Sequence, residues 1–237
     1  NNGSINSTIM KNNYSFITAS IILFSFLSDF HISQAQTSSA YSHLDINNIN
    51  ARFNANGSDF WNSALGTPGF EVPKGSGKHT MFVSSLWLGG LKNDTLHLAA
   101  VRYNSNGAEY YPGPIMDSSN YSSAEDLLWD KLWKITKTEV ETHKSTWDQP
   151  GYTAPADFIS WPAHGDVAKG QAADLAPYHD HNSDGNYDPY DGDYPLIKGD
   201  MTIYFLRNDD RGPHMGSEGN KMGIEIHGMA YAFDCPS

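Results

Sequence analysis

The segment "MGIEIHGMAYAFD", residues 222–234, alternates apolar and polar side chains with a period of two. Ile224 and Ile226 would face one side of an extended chain, and Glu225 and His227 would face the other. Such alternation is typical of a β-strand that buries one of its faces. The segment therefore predicts a strand, and the recurrence of the same pattern along the chain decides the fold class.

The same alternation recurs in segments rich in aromatic and β-branched residues, which favours a sheet. Two of these segments are joined by the short polar sequence "LKND", which predicts a hairpin, and the first of them would end at Gly89 and Gly90. The strands predicted in this way are "HTMFVSSLWLGG" (79–90), "TLHLAAVRY" (95–103) and "MTIYFLRND" (201–209), with weaker ones in "ARFNANGSDFWN" (51–62) and "PGFEVP" (68–73).

Signals for helices are few. Thr136 is followed by Glu139 three residues later, which is the spacing of a capping box at a helix N-terminus. This spacing predicts one short helix over 137–145. The preceding segment "LWDKLWKI", residues 128–135, fits either element, and its alternating tryptophan and lysine side chains favour a strand.

Residues 149–198 are rich in proline, glycine and aspartate and show almost no periodicity. A loop of this length inside a compact domain is uncommon unless something orders it, and a bound metal ion is one way of doing so. We therefore predict a mainly β fold. It would be an antiparallel β-sandwich, jelly-roll or immunoglobulin-like, with a long ordered calcium-binding loop insertion and one short helix.

The N-terminal region has the layout of a secretory signal peptide, with a basic residue, an apolar run over 16–27 and small residues before a cleavage position. The apolar run is shorter than the roughly 20 residues that cross a bilayer. We predict upstream residues and a signal peptide (Met10–Ala35) over 1–35. A single β-rich domain would follow over 36–237, truncated at its C-terminus and without a membrane span.

The chain carries 27 acidic and 15 basic side chains, which gives a formal net charge of −12. An acidic surface repels phosphate backbones and anionic lipids, so nucleic acid is not an expected partner, whereas divalent cations are. Cys235 is the only cysteine, which excludes an internal disulfide framework.

The most specific motif is "DHNSDGNYDPYDGDYP", residues 180–195, which contains five aspartates. Its first residues satisfy the calcium-loop pattern D-x-[DN]-x-[DN]-G, in which alternate side chains converge on the ion and the glycine permits a sharp bend. Ca²⁺ takes about six to eight hard oxygen ligands. The ligands predicted from the spacing are Asp180, Asn182, Asp184, Asn186 through its backbone carbonyl, Asp188 and Asp191, with Asp193 or Asp200 as additional ligands.

This motif lacks the flanking helices of an EF-hand, because Pro177, Pro189 and Pro195 lie around and within it. It resembles the helix-free aspartate loops of dockerin and thrombospondin type 3 modules. The resemblance implies that calcium stabilises an irregular extracellular chain. The expected role of the ion is structural, because it would neutralise carboxylates that repel each other by roughly 1 kcal/mol per pair even in a watery dielectric.

Further phrases along the chain belong to a recognisable pattern: "LDINNINARFNANGSDFWN", "FEVPKGSGKHTMFVSSLWLGGL", "LHLAAVRY", "YYPGPI", "WPAHGD", "DGNYDPYDGDYPLIKGD" and "GIEIHGMAYAF". In that order they resemble the N-terminal region of large secreted Bacteroidota proteins exported by the type IX secretion system. The resemblance covers residues 43–235. It implies export to the cell surface or the medium, and it carries no assigned chemistry.

No sequence motif of an enzyme is recognisable. The stretch "GSGK", residues 75–78, lacks the first glycine of the phosphate-loop pattern and precedes a predicted strand. We therefore predict a secreted or cell-surface, calcium-stabilised structural or adhesion-type domain of a larger extracellular protein, with no catalysis inferred. Its expected partners are calcium, the type IX export machinery, and surface polysaccharide or other cell-surface proteins.

The alternative is a carbohydrate-binding or glycan-degrading extracellular module. Several tryptophans and tyrosines could form a flat platform for sugar rings, although most of them should lie in the core. The paired carboxylates of a glycosidase are a spatial feature, and a single sequence does not show them.

Overall fold

The computed structural model of the chain describes residues 38–102 and 108–235. The predicted signal peptide, Met10–Ala35, lies outside these residues. Across the part of the chain that is described, no helix combines the length and the apolar character that a bilayer crossing requires.

The protein is mainly β, with short helices between its strands. The α-helices are α1 (Ser123–Trp129), α2 (Lys137–Thr146) and α3 (Ala156–Ile159). The strands are β1 (Tyr41–Leu44), β2 (Asn50–Asn54), β3 (Trp61–Asn62), β4 (Thr67–Pro68), β5 (Phe70–Glu71), β6 (His79–Met81), β7 (Trp87–Lys92), β8 (Thr95–Ala100), β9 (Tyr111–Pro112), β10 (Trp133–Thr136), β11 (Tyr178–His179), β12 (Tyr194–Pro195), β13 (Met201–Asn208) and β14 (Glu225–Ala232).

These strands pair antiparallel in two larger sheets and three small ones. The first sheet has the order β1-β2-β5-β6, and the second has the order β10-β13-β14, with β9 also paired to β13. Strands β3 and β4, β7 and β8, and β11 and β12 form two-stranded sheets. The predicted mainly β, antiparallel fold is therefore confirmed.

Strand β13 is the centre of the second sheet, and every one of its residues is buried. It pairs with β14 along its whole length, from Met201 opposite Ala232 to Asn208 opposite Glu225. Its other edge pairs first with β10 and then with β9. The sequence of β13 is nearly continuously apolar at its centre because the strand is covered on both faces.

The largest apolar core joins the second sheet to residues 149–198, the segment predicted as an insertion. Phe158, Trp161 and Leu175 of this segment are almost completely buried, and they pack with Trp133 of β10 and Tyr204 of β13. The segment is therefore anchored by its own apolar side chains. Their irregular spacing, with no period of two or of 3.6, hides this contribution in the sequence.

Helix α2 begins where the capping box predicts. The Thr136 hydroxyl accepts the Glu139 backbone N–H at 3.2 Å, and the Glu139 carboxylate accepts the Thr136 backbone N–H at 2.7 Å. The expectation of a single helix is wrong, because α1 and α3 also form. The segment 128–135, predicted as a strand, is divided between the end of α1 and the start of β10.

Strands β7 and β8 form the predicted hairpin, but its turn differs from the expected one. The turn residues are Asn93 and Asp94, both with left-handed backbone at φ 52° and 59°. Two consecutive left-handed residues match the right-handed twist of the flanking strands. Gly89 and Gly90 consequently lie inside β7 instead of ending it.

Candidate metal centre

The acidic loop, defined here as residues 180–193, leaves and re-enters the fold through a short antiparallel ladder. Strand β11 ends at His179 and β12 begins at Tyr194, and these two residues are paired in the ladder. Their rings stack with centroids 4.6 Å apart. The two ends of the acidic loop are therefore held side by side by the protein itself.

The first half of the acidic loop curls around the carboxylate of Asp180. One oxygen accepts the backbone N–H of Ser183 at 2.6 Å, and the other accepts that of Gly185 at 2.9 Å. Ser183 and Gly185 both have left-handed backbone, with φ values of 61° and 79°. The chain therefore bends sharply here, and Gly185 occupies the left-handed position that favours glycine.

Asn182 and Asp184 each bind the backbone two residues ahead. Asn182 Oδ1 accepts the Asp184 N–H at 3.0 Å, and Asp184 Oδ1 accepts the Asn186 N–H at 2.7 Å. The Asn182 amide nitrogen also donates to Asp184 Oδ2 at 3.1 Å. The bond from Asn186 is the main cause that lowers the pKa of Asp184, so this carboxylate stays charged to a lower pH than an ordinary aspartate.

Two aspartates close the second half of the acidic loop. The Asp188 carboxylate accepts the Tyr190 N–H at 2.8 Å and begins a 3₁₀ turn over Pro189–Asp191. Asp193 is only 1% exposed, and its two oxygens accept the N–H groups of His181 at 2.8 Å and of Asp188 at 2.9 Å. Asp193 therefore ties the two halves of the loop together at its base.

The acidic loop is also attached to the body of the protein. The Tyr187 hydroxyl donates to the Phe158 carbonyl at 2.8 Å, and burial raises the pKa of this tyrosine. Gly192 has a φ of 95°, and a Cβ atom there would lie 2.9 Å from the Trp147 ring and 3.0 Å from the His181 ring. Only glycine fits this position without a shift of its neighbours.

The acidic loop is rich in oxygen donors and carries no compensating cation. Among the ion pairs formed by described residues, none uses a carboxylate of this loop. Within the same residues, no three His, Cys, Asp or Glu side chains converge closely enough to hold a metal ion. The donors also include the Asn182 amide oxygen and backbone carbonyls such as that of Asn186. An all-oxygen donor set of this kind fits a hard divalent cation by its chemistry.

The six predicted ligands all lie in the acidic loop, and one is set apart from the rest by its burial. Asp180 is half-buried. Asn182, Asp184, Asn186, Asp188 and Asp191 are exposed.

The two additional predicted ligands have different surroundings. The Asp200 carboxylate accepts the Asp234 N–H at 2.9 Å and lies 3.7 Å from Lys137 Nζ, so it is engaged by residues outside the acidic loop. Asp193 belongs to the loop, but its role as a buried clamp on the backbone was not predicted. Its only sequence signal is its place between Gly192 and the strand that follows.

Comparisons of the chain with protein-family models, with curated proteins and with solved structures find no match in any of the three.

Proposed function

We propose that this chain is a calcium-stabilised structural or adhesion-type domain of a larger extracellular protein. The observation that carries the proposal is the acidic loop, whose chain folds back so that backbone N–H groups donate to its own carboxylates. None of these carboxylates has an ion-pair partner among the described residues. Calcium would supply the missing positive charge. Asp180, Asn182, Asp184, Asp188, Asp191 and the carbonyl of Asn186 would hold it.

The charge balance of the acidic loop supports a structural ion. Five carboxylates lie within fourteen residues. Like charges a few ångströms apart repel by roughly 1 kcal/mol per pair even in a watery dielectric. A divalent cation that binds only the folded loop would offset this repulsion and stabilise the fold.

Thermal unfolding in calcium and in EGTA tests the proposal. A free calcium concentration about 100-fold above the Kd stabilises the folded state by about 2.7 kcal/mol. For a domain of this size, that corresponds to a rise in Tm of roughly 5–10 °C. We expect Asp184→Ala to abolish most of this rise, because it removes one ligand and the bond to Asn186.

The matched control is Asp148→Ala, which removes an exposed aspartate outside the acidic loop. This variant should keep the full calcium-dependent rise. If the Tm of the unaltered protein were the same in calcium and in EGTA, the proposal would be wrong.

We also propose that the chain is secreted or displayed on the outer cell surface through the type IX export machinery. The support is its signal-peptide pattern and its resemblance over 43–235 to secreted Bacteroidota proteins. Surface polysaccharide and other cell-surface proteins are the partners that fit such a location. The arrangement of the sheets as a jelly-roll or immunoglobulin-like sandwich stays a prediction.

A carbohydrate-binding module, with or without glycan-degrading activity, is the second candidate, and one surface groove favours it. The groove has a volume of about 320 Å³. Its lining includes the half-buried Trp129 and the polar or charged side chains of Glu125, Lys131, His164 and Lys169. An aromatic ring beside several hydrogen-bonding groups suits a sugar, whose ring has an apolar face and a rim of hydroxyls.

A glycan array with and without calcium separates the two candidates. Selective binding of one class of glycan, weakened by Trp129→Phe, would favour the carbohydrate module. Phenylalanine keeps an apolar ring at this position but offers a smaller surface. An array without bound glycans in either condition would leave the structural domain as the better explanation.

A further inference from the structure

Three arginines of the described residues are more than nine-tenths buried, and two of them have a carboxylate partner. Arg207 and Arg211 are 5% and 7% exposed and pair with Asp59 at 2.8 Å and with Asp126 at 2.6 Å. Arg52 is 8% exposed, yet none of the ion pairs between described residues includes it. A buried charge without a counter-charge is costly, so this exception needs an explanation.

The Arg52 side chain is held in place without being neutralised. Its Nε donates to Asn54 Oδ1 at 2.8 Å, and its guanidinium carbon lies 3.4 Å from the centre of the Tyr41 ring. Apart from Tyr41, the described residues provide no acceptor for the two terminal nitrogens. Burial lowers the pKa of Arg52, which is the direction expected when desolvation outweighs the favourable contacts.

The fold holds the backbone and the stem of Arg52 in place. The Arg52 N–H donates to the Gly69 carbonyl at 2.8 Å, and the Arg52 carbonyl accepts the Phe60 N–H at 2.8 Å. A Cβ atom at Gly69 would lie 2.9 Å from the Arg52 Cβ, so a larger residue would push the stem aside. The site is therefore built by the fold and does not result from a freely moving surface side chain.

Arg52 lines a pocket of about 230 Å³ between the first sheet and strands β3 and β4. Asn62, His43 and His79 line the same pocket and can donate hydrogen bonds, the histidines most fully when protonated. The volume is smaller than the roughly 300–1,000 Å³ of sites for drug-sized molecules, so it suits a small ligand.

The one acidic side chain that lines the pocket, Glu71, is already engaged. It accepts the Gly77 backbone N–H at 2.7 Å and the Asn50 amide at 3.5 Å, and the backbone bond from Gly77 is the main cause that lowers its pKa. Asn50 Oδ1 in turn accepts His43 Nδ1–H at 2.6 Å. Glu71 is thus bound to its own neighbours and forms no ion pair with Arg52.

We propose that this pocket binds a small carboxylate ligand. The two oxygens of the ligand would pair with Arg52 as aspartate carboxylates pair with the other two buried arginines. A planar guanidinium matches a carboxylate with two parallel N–H···O bonds, which gives the contact both strength and orientation. The site is separate from the acidic loop, and its ligand does not depend on calcium.

Titration by NMR of the full chain, at constant ionic strength, tests the proposal with three probes. Acetate represents a free carboxylate, glucuronate a carboxylate carried on a sugar, and glucose the matched neutral sugar. We expect the chemical shifts of residues around the pocket to change and to saturate at about 10 mM of probe, with a Kd near 1 mM or below. Binding of acetate and glucuronate alike would identify a simple carboxylate site, and binding of glucuronate alone would identify an acidic sugar; either result supports the proposal.

Variants of the pocket show whether Arg52 is responsible. Arg52→Gln should weaken binding at least tenfold, and Arg52→Lys should bind less tightly than the unaltered protein because the ammonium group lacks the planar fork. Asn62→Asp keeps the shape of the side chain and adds a negative charge to the pocket, so it should also weaken binding tenfold or more. The control is Arg102→Gln, which makes the same chemical change at an exposed arginine and should leave the Kd unchanged.

The proposal is overturned if neither carboxylate gives saturable shifts or if glucose binds as tightly as glucuronate. It is equally overturned if Arg52→Gln binds like the unaltered protein. Should Arg52→Gln fail to fold, the Asn62→Asp result decides in its place.

Discussion

Buried carboxylates hold the loops of this protein by binding backbone N–H groups directly. Glu109 is completely buried and accepts the N–H groups of Ala100 at 2.9 Å, Gly216 at 2.5 Å and Ser217 at 2.8 Å. Asp193 has the same function in the acidic loop, with two N–H groups. Loss of such a carboxylate would leave buried donors unpaired, at a cost of about 1–3 kcal/mol for each.

Tyr110 gives the protein a defined sensitivity to alkaline pH. It is 1% exposed, and burial, followed by the charges of Asp209 and Glu109, raises its pKa to about 12. The folded state favours the neutral phenol, so the contribution to stability is complete below pH ~10, the ordinary pKa of tyrosine, and is lost as the pH rises towards 12. We expect the free energy of unfolding, measured in urea at a series of pH values, to fall over this range.

Tyr110→Phe is the control for this effect. The variant should lose about 1 kcal/mol near neutral pH, because the hydroxyl no longer donates to the Leu86 carbonyl. Its stability should then fall less steeply between pH ~10 and 12, the remaining fall coming from residues such as Tyr111, whose pKa burial also raises to about 12. Identical pH profiles for the two proteins would contradict the assignment to Tyr110.

Among the elements, helix α2 depends on its first turn. Thr136→Ala removes the hydroxyl that accepts the Glu139 N–H and should lower the free energy of unfolding by about 1 kcal/mol. Thr138→Ala, at an exposed position inside the same helix, is the matched control and should change stability by only a few tenths of a kcal/mol. Equal losses in the two variants, measured by urea denaturation, would show that the cap contributes nothing.

Elements with a local signal could be predicted, and elements fixed by distant contacts could not. The capping box at Thr136 predicts α2 because both partners lie within one turn. The same spacing occurs at Ser122 and Glu125, where it begins α1, so that helix also has a local signal in the sequence. The start of β10 depends instead on Trp133, whose indole N–H donates to the carbonyl of Ser160 at 2.6 Å, a contact that alternation does not reveal.

At the scale of the whole molecule, alternation was enough to predict a mainly β antiparallel fold, but not how the sheets are divided. Strand β13 pairs with strands from three distant parts of the chain, and only tertiary packing decides which strands these are. The order of the oxygen donors in the acidic loop follows from spacing alone. The site proposed at Arg52 does not, because it depends on which of the described side chains lie near Arg52 in three dimensions, and none of them forms an ion pair with it.

The stacked pair of His179 and Tyr194, together with the clamp at Asp193, closes the neck of the acidic loop before any ion arrives. An incoming cation would meet a loop whose ends are already joined, so on capture only the ligand side chains, which do not yet converge among the described residues, would have to be ordered. Release of the ion would leave the two ends of the segment joined, so another ion could bind without the loop having to close again.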